Sequence, residues 1–221
     1  MIPGFPRQPN VQAGERNEIF EFAKAWIGTA LAFAVLFSGR NRSNLQFFVS
    51  SEFLTILVLA ALTAGLGVIL HELAHRVVAR YFGATAHFVA NDGMLVVSIL
   101  LAFTGFLFAA PGAVWHSGWL TKRQSGLVAA AGPITNMVLA LMFVGALLLT
   151  RDAMPRLVEA GLIMGYSINS ILGVFNMLPF GPIDGAKVLH WSGLVFGVLI
   201  GVAIVIAFGL PRVLPGLPSI F

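Results

Sequence analysis

The chain holds nine carboxylates and five histidines in 221 residues, and three of these side chains stand together in His71-Glu72-Leu73-Ala74-His75. On a helix, His71 and His75 at i and i+4 lie one above the other on a single face, with Glu72 beside them. Two stacked imidazoles offer two nitrogen donors to one metal ion, and the adjacent carboxylate is placed to take a proton from water activated there. At these residue frequencies chance produces the pattern about 0.003 times in a chain of this length. A catalytic zinc site takes three protein ligands and keeps a fourth position open, so one more ligand is required. With no cysteine present, it must be His, Asp or Glu. Glu15, Glu18, Glu21, Glu52, Asp92 and Asp152 fall in polar segments and Glu159 opens an apolar run, which leaves Asp184. It lies in Asn176-Met177-Leu178-Pro179-Phe180-Gly181-Pro182-Ile183-Asp184-Gly185, where two prolines and two glycines forbid a continuous helix. Asp-Gly is also a common turn, so at this point Asp184 is either the third ligand or a turn residue. Asn136 reads as a substrate contact or as an interhelical hydrogen bond. His87, His116 and His190 read as interfacial or packing histidines.

The elements that position these residues are membrane spans. Apolar residues make up 58% of the chain and charged residues 10%, with a mean hydropathy of +0.91. A soluble domain carries about 25% charge, so too few charges are present to coat one. The thirteen Lys and Arg are scattered in ones and twos between apolar runs, which fits anchors at a membrane surface and excludes a phosphate-binding stripe, so no nucleic-acid partner is expected. The organisation expected is a polar N-terminal segment 1–22 without the features of a signal peptide, a membrane-embedded unit 23–210 and a proline-rich tail 211–221. Apolar runs cover 23–38, 53–78, 94–114, 127–149, 157–178 and 188–210. The second covers about 39 Å as a helix and carries the histidine motif in its later half. Ionisable residues at membrane depth cost about 2.5 to 3.5 kcal/mol each on insertion scales, so three side by side need a metal or a partner.

The 94–114 run decides the topology. If it crosses, the helix bearing His71 and the segment bearing Asp184 end on opposite faces. If it is re-entrant, helped by Gly105, Pro111 and Gly112, they meet on one face. The expected fold class is therefore an all-α polytopic integral membrane protein with five to six transmembrane helices, one re-entrant or hairpin element and a broken helix at the metal site. Eight of the thirteen basic residues fall on the face of the active site, which points that face to the cytoplasm.

His71 to His75 near the end of a transmembrane helix, the turn Ala131-Gly132-Pro133, and Asn176…Pro179…Asp184-Gly185 together resemble the site-two protease family of intramembrane zinc metalloproteases. The match runs from about Phe53 to Lys187. The resemblance implies that His71, His75 and Asp184 bind Zn2+, that Glu72 is the general base, and that Asn176 with its loop helps to position the substrate strand. Many members have Asn-Pro and Leu-Asp-Gly where this chain has Asn176-Met177 and Ile183-Asp184-Gly185, yet the ligand-bearing residues are kept. The expected activity is a zinc endopeptidase acting on transmembrane protein substrates within the lipid bilayer. Two other readings of the cluster stand beside it: a divalent-metal transporter or channel, and a catalytically inactive metal-binding homologue. A transporter should show paired interrupted helices from repeated halves, and the sequence has one interrupted ligand segment and no repeat.

Overall fold

Asn17 starts the first helix, α1 (Glu18–Phe37), by accepting a hydrogen bond from the Ile19 N–H at 3.0 Å. The apolar run beginning at Ala23 thus borrows the preceding turn. The structure is a computed structural model that describes residues 17–107, 111–150, 154–214 and 217. Most of the polar segment 1–22 and most of the tail 211–221 lie outside these residues.

Short 3-10 turns carrying Arg40 and Arg42 lead from α1 into α2 (Ser51–Tyr81). This helix contains one π turn, Ala61–Gly65, which leaves carbonyls displaced from their regular partners. Trp26 of α1 closes the gap, its indole N–H donating to Ala61 O at 2.8 Å. Hydrocarbon offers no water for such a carbonyl, so a side-chain donor is needed. The chain then forms β1 (Thr85–Ala90), α3 (Asp92–Thr104) and β2 (Gly112–Ser117). Three more apolar helices follow: α4 (Lys122–Thr150), α5 (Arg156–Asn176) and α7 (Gly193–Val213), with the short α6 (Asp184–Trp191) between the last two. Among the described residues, α1, α2, α4, α5 and α7 are long and apolar enough to cross a membrane. The protein is an all-α polytopic membrane protein with one small sheet.

The 94–114 stretch returns to its starting point. β1 and β2 pair antiparallel from Thr85↔Ser117 to Ala90↔Gly112, and Asn91 N–H donates to Pro111 O at 2.9 Å. Between these flanks α3 runs out, stops at Gly105 with φ 89°, and the chain comes back. A pair of strands joined along their length cannot have its ends on opposite sides of a bilayer, so this stretch closes as a hairpin, and five candidate spans remain among the described residues. Residues 108–110 lie outside the described residues. The two strands are absent from the expectation above: β2 begins inside the apolar 94–114 run, and the outer edge of β1 is held by α1 carboxylates remote in the chain.

Two larger apolar clusters hold most of the packing between the spans. Ala129, Met137, Ala140 and Val144 of α4 meet Tyr166 of α5, Val188 of α6 and Ala203 of α7. Phe33 of α1, Ala64 and Val68 of α2, and Ile168 and Leu172 of α5 form the second. α4 lies against both α2 and α5 and forms the central helix. A second π turn, Val205–Gly209 in α7, is closed in the same manner as the first: the Tyr166 hydroxyl donates to Ile206 O at 2.7 Å.

Candidate metal centre

His71 and His75 project from α2 into the bundle and both are buried. Asp184 is the first residue of α6. The Met177–Ile183 segment breaks the chain after α5 and turns it back, using Gly181 at φ 65°. Gly185 serves a different purpose, because its φ is not positive. A Cβ there would stand 2.4 Å from the Met177 carbonyl carbon and oxygen, so only glycine lets α6 press against the end of α5. Asp184-Gly185 is therefore a close-packing pair at a helix start, and the turn lies earlier.

Three donor atoms converge. His75 Nε2 lies 3.0 Å from His71 Nε2, and Asp184 Oδ2 lies 3.3 Å from His71 Nε2 and 3.0 Å from His75 Nε2. Ligands held tetrahedrally at zinc bond lengths of 2.0–2.1 Å stand about 3.3 Å apart, close to this triangle. The other ring nitrogens are occupied: His71 Nδ1 is 2.6 Å from Asn136 Oδ1 and His75 Nδ1 is 2.7 Å from Val128 O. Val128 O can only accept, so His75 carries its hydrogen on Nδ1 and turns a lone pair inward. His71 does likewise toward the amide oxygen. Two lone pairs and a carboxylate facing one another need a cation between them, and the donor set suits zinc. Gly132 of α4 leaves the space for it. A Cβ on Gly132 would fall 2.4 Å from His75 Nε2 and 2.5 Å from His71 Nε2, filling the cradle. The other carboxylate oxygen, Asp184 Oδ1, accepts from Lys187 Nζ at 3.3 Å, which leaves Oδ2 free for the imidazole side.

Glu72 and Asn176 line the same cavity of about 300 Å³, together with Val114, His116 and Lys187. The Asn176 amide donates to Leu172 O on its own helix at 2.9 Å. Asn136 also borders the cavity, but its polar atoms are spent on protein: Oδ1 on His71, and Nδ2 on Gly67 O and Asn169 Oδ1. Of the two readings given for Asn136, this geometry is that of the interhelical hydrogen bond. Sequence reasoning set His116 aside as interfacial. It sits in the cavity wall, where partial desolvation first, and then the nearby Lys187, lower its pKa below the ordinary imidazole value.

The sheet supplies a further wall. Phe88 and Ala90 of β1 point their N–H groups away from β2, to Glu18 Oε1 and Glu21 Oε2 of α1, both at 3.0 Å. In the antiparallel register their partners Val114 and Gly112 must likewise point away from β1, on the opposite edge. That edge faces the cavity, which Glu72 also lines. One edge of the sheet is thus closed by carboxylates of α1, and the other opens beside His71, His75 and Asp184.

The chain is 39% identical over 173 residues to "Putative zinc metalloprotease MJ0611" of Methanocaldococcus jannaschii, covering 77% of this chain and 84% of that protein. It is 33% identical over 141 residues to "Putative zinc metalloprotease YwhC" of Bacillus subtilis, covering 55% of this chain and 63% of that one. It is also 32% identical over 137 residues to "Putative zinc metalloprotease Rip3" of Mycobacterium tuberculosis, where the alignment covers 61% of this chain and 29% of the longer relative. No protein-family model and no solved structure matches the chain.

Proposed function

The chain belongs to the site-two protease family of zinc metalloproteases, and from that membership we propose that it is an intramembrane endopeptidase that hydrolyses peptide bonds of transmembrane protein substrates. The observation that carries this reading is the placement of a three-donor set, Glu72 and an open strand edge around one cavity among membrane-spanning helices.

In this reading His71, His75 and Asp184 hold zinc. Bound there, zinc supplies Lewis acidity that makes water more acidic and polarises a carbonyl. Glu72 takes the proton of the attacking water and passes it to the departing amine nitrogen. A peptide bond inside a helix is shielded by its own hydrogen bonds, so the substrate must be drawn out into an extended strand before attack. The outward N–H and C=O groups of Gly112, Val114 and His116 offer ladder partners to such a strand. Asn176, at the end of α5 across the cavity, is the residue assigned to the other side of that strand. Lys187 keeps Asp184 turned so that a single oxygen faces the imidazoles. The active-site face, which carries Arg76, Arg80, Lys122, Arg123 and Lys187, is assigned to the cytoplasm from its share of basic residues.

The test is cleavage in proteoliposomes of a single-span substrate with a tag at each end. The expected result is two separate fragments whose new ends lie within the apolar segment, loss of cleavage on chelation, and recovery on adding back stoichiometric zinc. Cutting confined to soluble loops, or turnover unaffected by exhaustive chelation, would refute the proposal.

A further inference from the structure

We propose that Asn136, locked by Asn169, is a positioning residue that decides which ring nitrogen of His71 faces the metal; this inference rests on the zinc reading above. The argument begins at two main-chain carbonyls. Gly67 O lies 3.2 Å from Asn136 Nδ2, and Gly165 O lies 2.9 Å from Asn169 Nδ2. A carbonyl only accepts, so each amide must present its nitrogen there. With its nitrogen bound to Gly165 O, Asn169 turns Oδ1 to the second hydrogen of Asn136 Nδ2 at 2.9 Å. With both hydrogens engaged, Asn136 has only Oδ1 left for His71. An oxygen at 2.6 Å from Nδ1 requires the hydrogen on Nδ1, and the lone pair then stands on Nε2, toward Asp184 and His75. The tautomer of His71 is thus written by backbone of α2 and α5 through two amides.

The chain of bonds is fully enclosed. Asn136 and Asn169 have no exposed surface, so no solvent water competes for their groups. Gly67, one turn before His71, makes the arrangement possible, because a Cβ there would lie 2.5 Å from Asn169 Oδ1. The two histidines differ in their support. His75 is fixed directly by Val128 O, which no side-chain substitution removes, whereas His71 depends on a side chain from α4 and a second from α5.

The measurements are the zinc dissociation constant by chelator competition and the visible spectrum of the cobalt-substituted protein, on purified full-length chain in detergent. Asn136→Leu keeps the volume and removes the acceptor. It is expected to weaken zinc about 10- to 100-fold and to alter the cobalt bands. Asn136→Asp keeps an acceptor for the Nδ1 hydrogen and, when protonated, one donor toward Gly67 O or Asn169 Oδ1, and is expected to recover part of the affinity together with the parent spectrum. Asn169→Ser leaves Asn136 in place but frees its amide, with a smaller loss expected; it also serves if Asn136→Leu fails to fold. Parent affinity and spectrum in Asn136→Leu, or in Asn169→Ser should that be the folded variant, would overturn the inference. So would equal losses in Asn136→Leu and Asn136→Asp, which would make the residue a packing element alone. A parent protein that takes up no zinc would instead overturn the metalloprotease reading itself.

Discussion

Replacing Gly132 by Ala adds one methyl group at the point where the two imidazoles converge. The new Cβ would begin 2.4 Å from His75 Nε2, 2.5 Å from His71 Nε2 and 2.6 Å from His71 Cε1. Ordinary carbon–nitrogen contact is about 3.4 Å, close to the optimal separation of non-bonded atoms, so both rings must retreat by about 1 Å. Neither can do so freely, since each is held at its far nitrogen, by Asn136 and by the Val128 carbonyl. Metal sites tolerate departures of about 0.2 Å in ligand distance, several times less than the required shift. The expected loss is at least about 100-fold in zinc affinity, equivalent to about 2.7 kcal/mol, with cleavage reduced at least as much. The helix itself should not suffer from the exchange, as alanine is a better helix former than glycine by about 1 kcal/mol. The assay is zinc content after dialysis against a graded chelator series, beside the melting temperature of the metal-free protein. Gly145→Ala on the same helix is the control, because nothing lies within 4 Å of its added Cβ. A Gly132→Ala protein that keeps one zinc at parent chelator resistance would show that the metal does not lie between these rings.

Glu72→Gln is expected to retain zinc while turnover falls about 10²- to 10⁴-fold, the usual share of a general base; full turnover in detergent would remove Glu72 from the proton path. Asp184→Asn should leave α6 in place, since Gly185 makes the close approach, yet lower zinc occupancy and cleavage by withdrawing the only anion of the donor set. An Asp184→Asn protein as active as the parent would reduce Asp184 to a structural residue. Single cysteines placed at the exposed Thr85 and at Gln124 should react with an impermeant thiol reagent from one side of a sealed vesicle, because β1 and β2 are paired along their length. Reaction from opposite sides would break the hairpin.

The donor set was legible because its chemistry is written in rare residue types. With five histidines and nine acids, elimination reaches Asp184, and the proline and glycine positions around it announce a broken helix. The spans were legible because each is a long apolar run with few charges. The sheet was not, although Thr85, His87 and Val89 do alternate with Ala86, Phe88 and Ala90, because what stabilises it is distant: carboxylates from α1 bonded to its outer edge. The work of Gly132 and Gly185 was hidden for a related reason. A glycine in sequence signals freedom of the backbone, while these two are needed for the absence of a Cβ against atoms remote in the chain. Asn136 shows the same limit, since its partners lie on two other helices.

The dispersal of the ligands along the chain gives the protein an order of events during its own synthesis. The ribosome releases Glu18 and Glu21 first, so the acceptors for β1 are waiting when that strand emerges. His71 and His75 follow early, but a pair of imidazoles alone lacks the anion that completes the set. Asp184 is delivered only after α4 and α5 have been made, next to the last span. A nascent chain, or one truncated before α6, therefore carries Glu72 and both histidines without the carboxylate that completes the three-donor set. The donor set is complete only when α6, made after four of the five candidate spans, brings Asp184 to the two imidazoles.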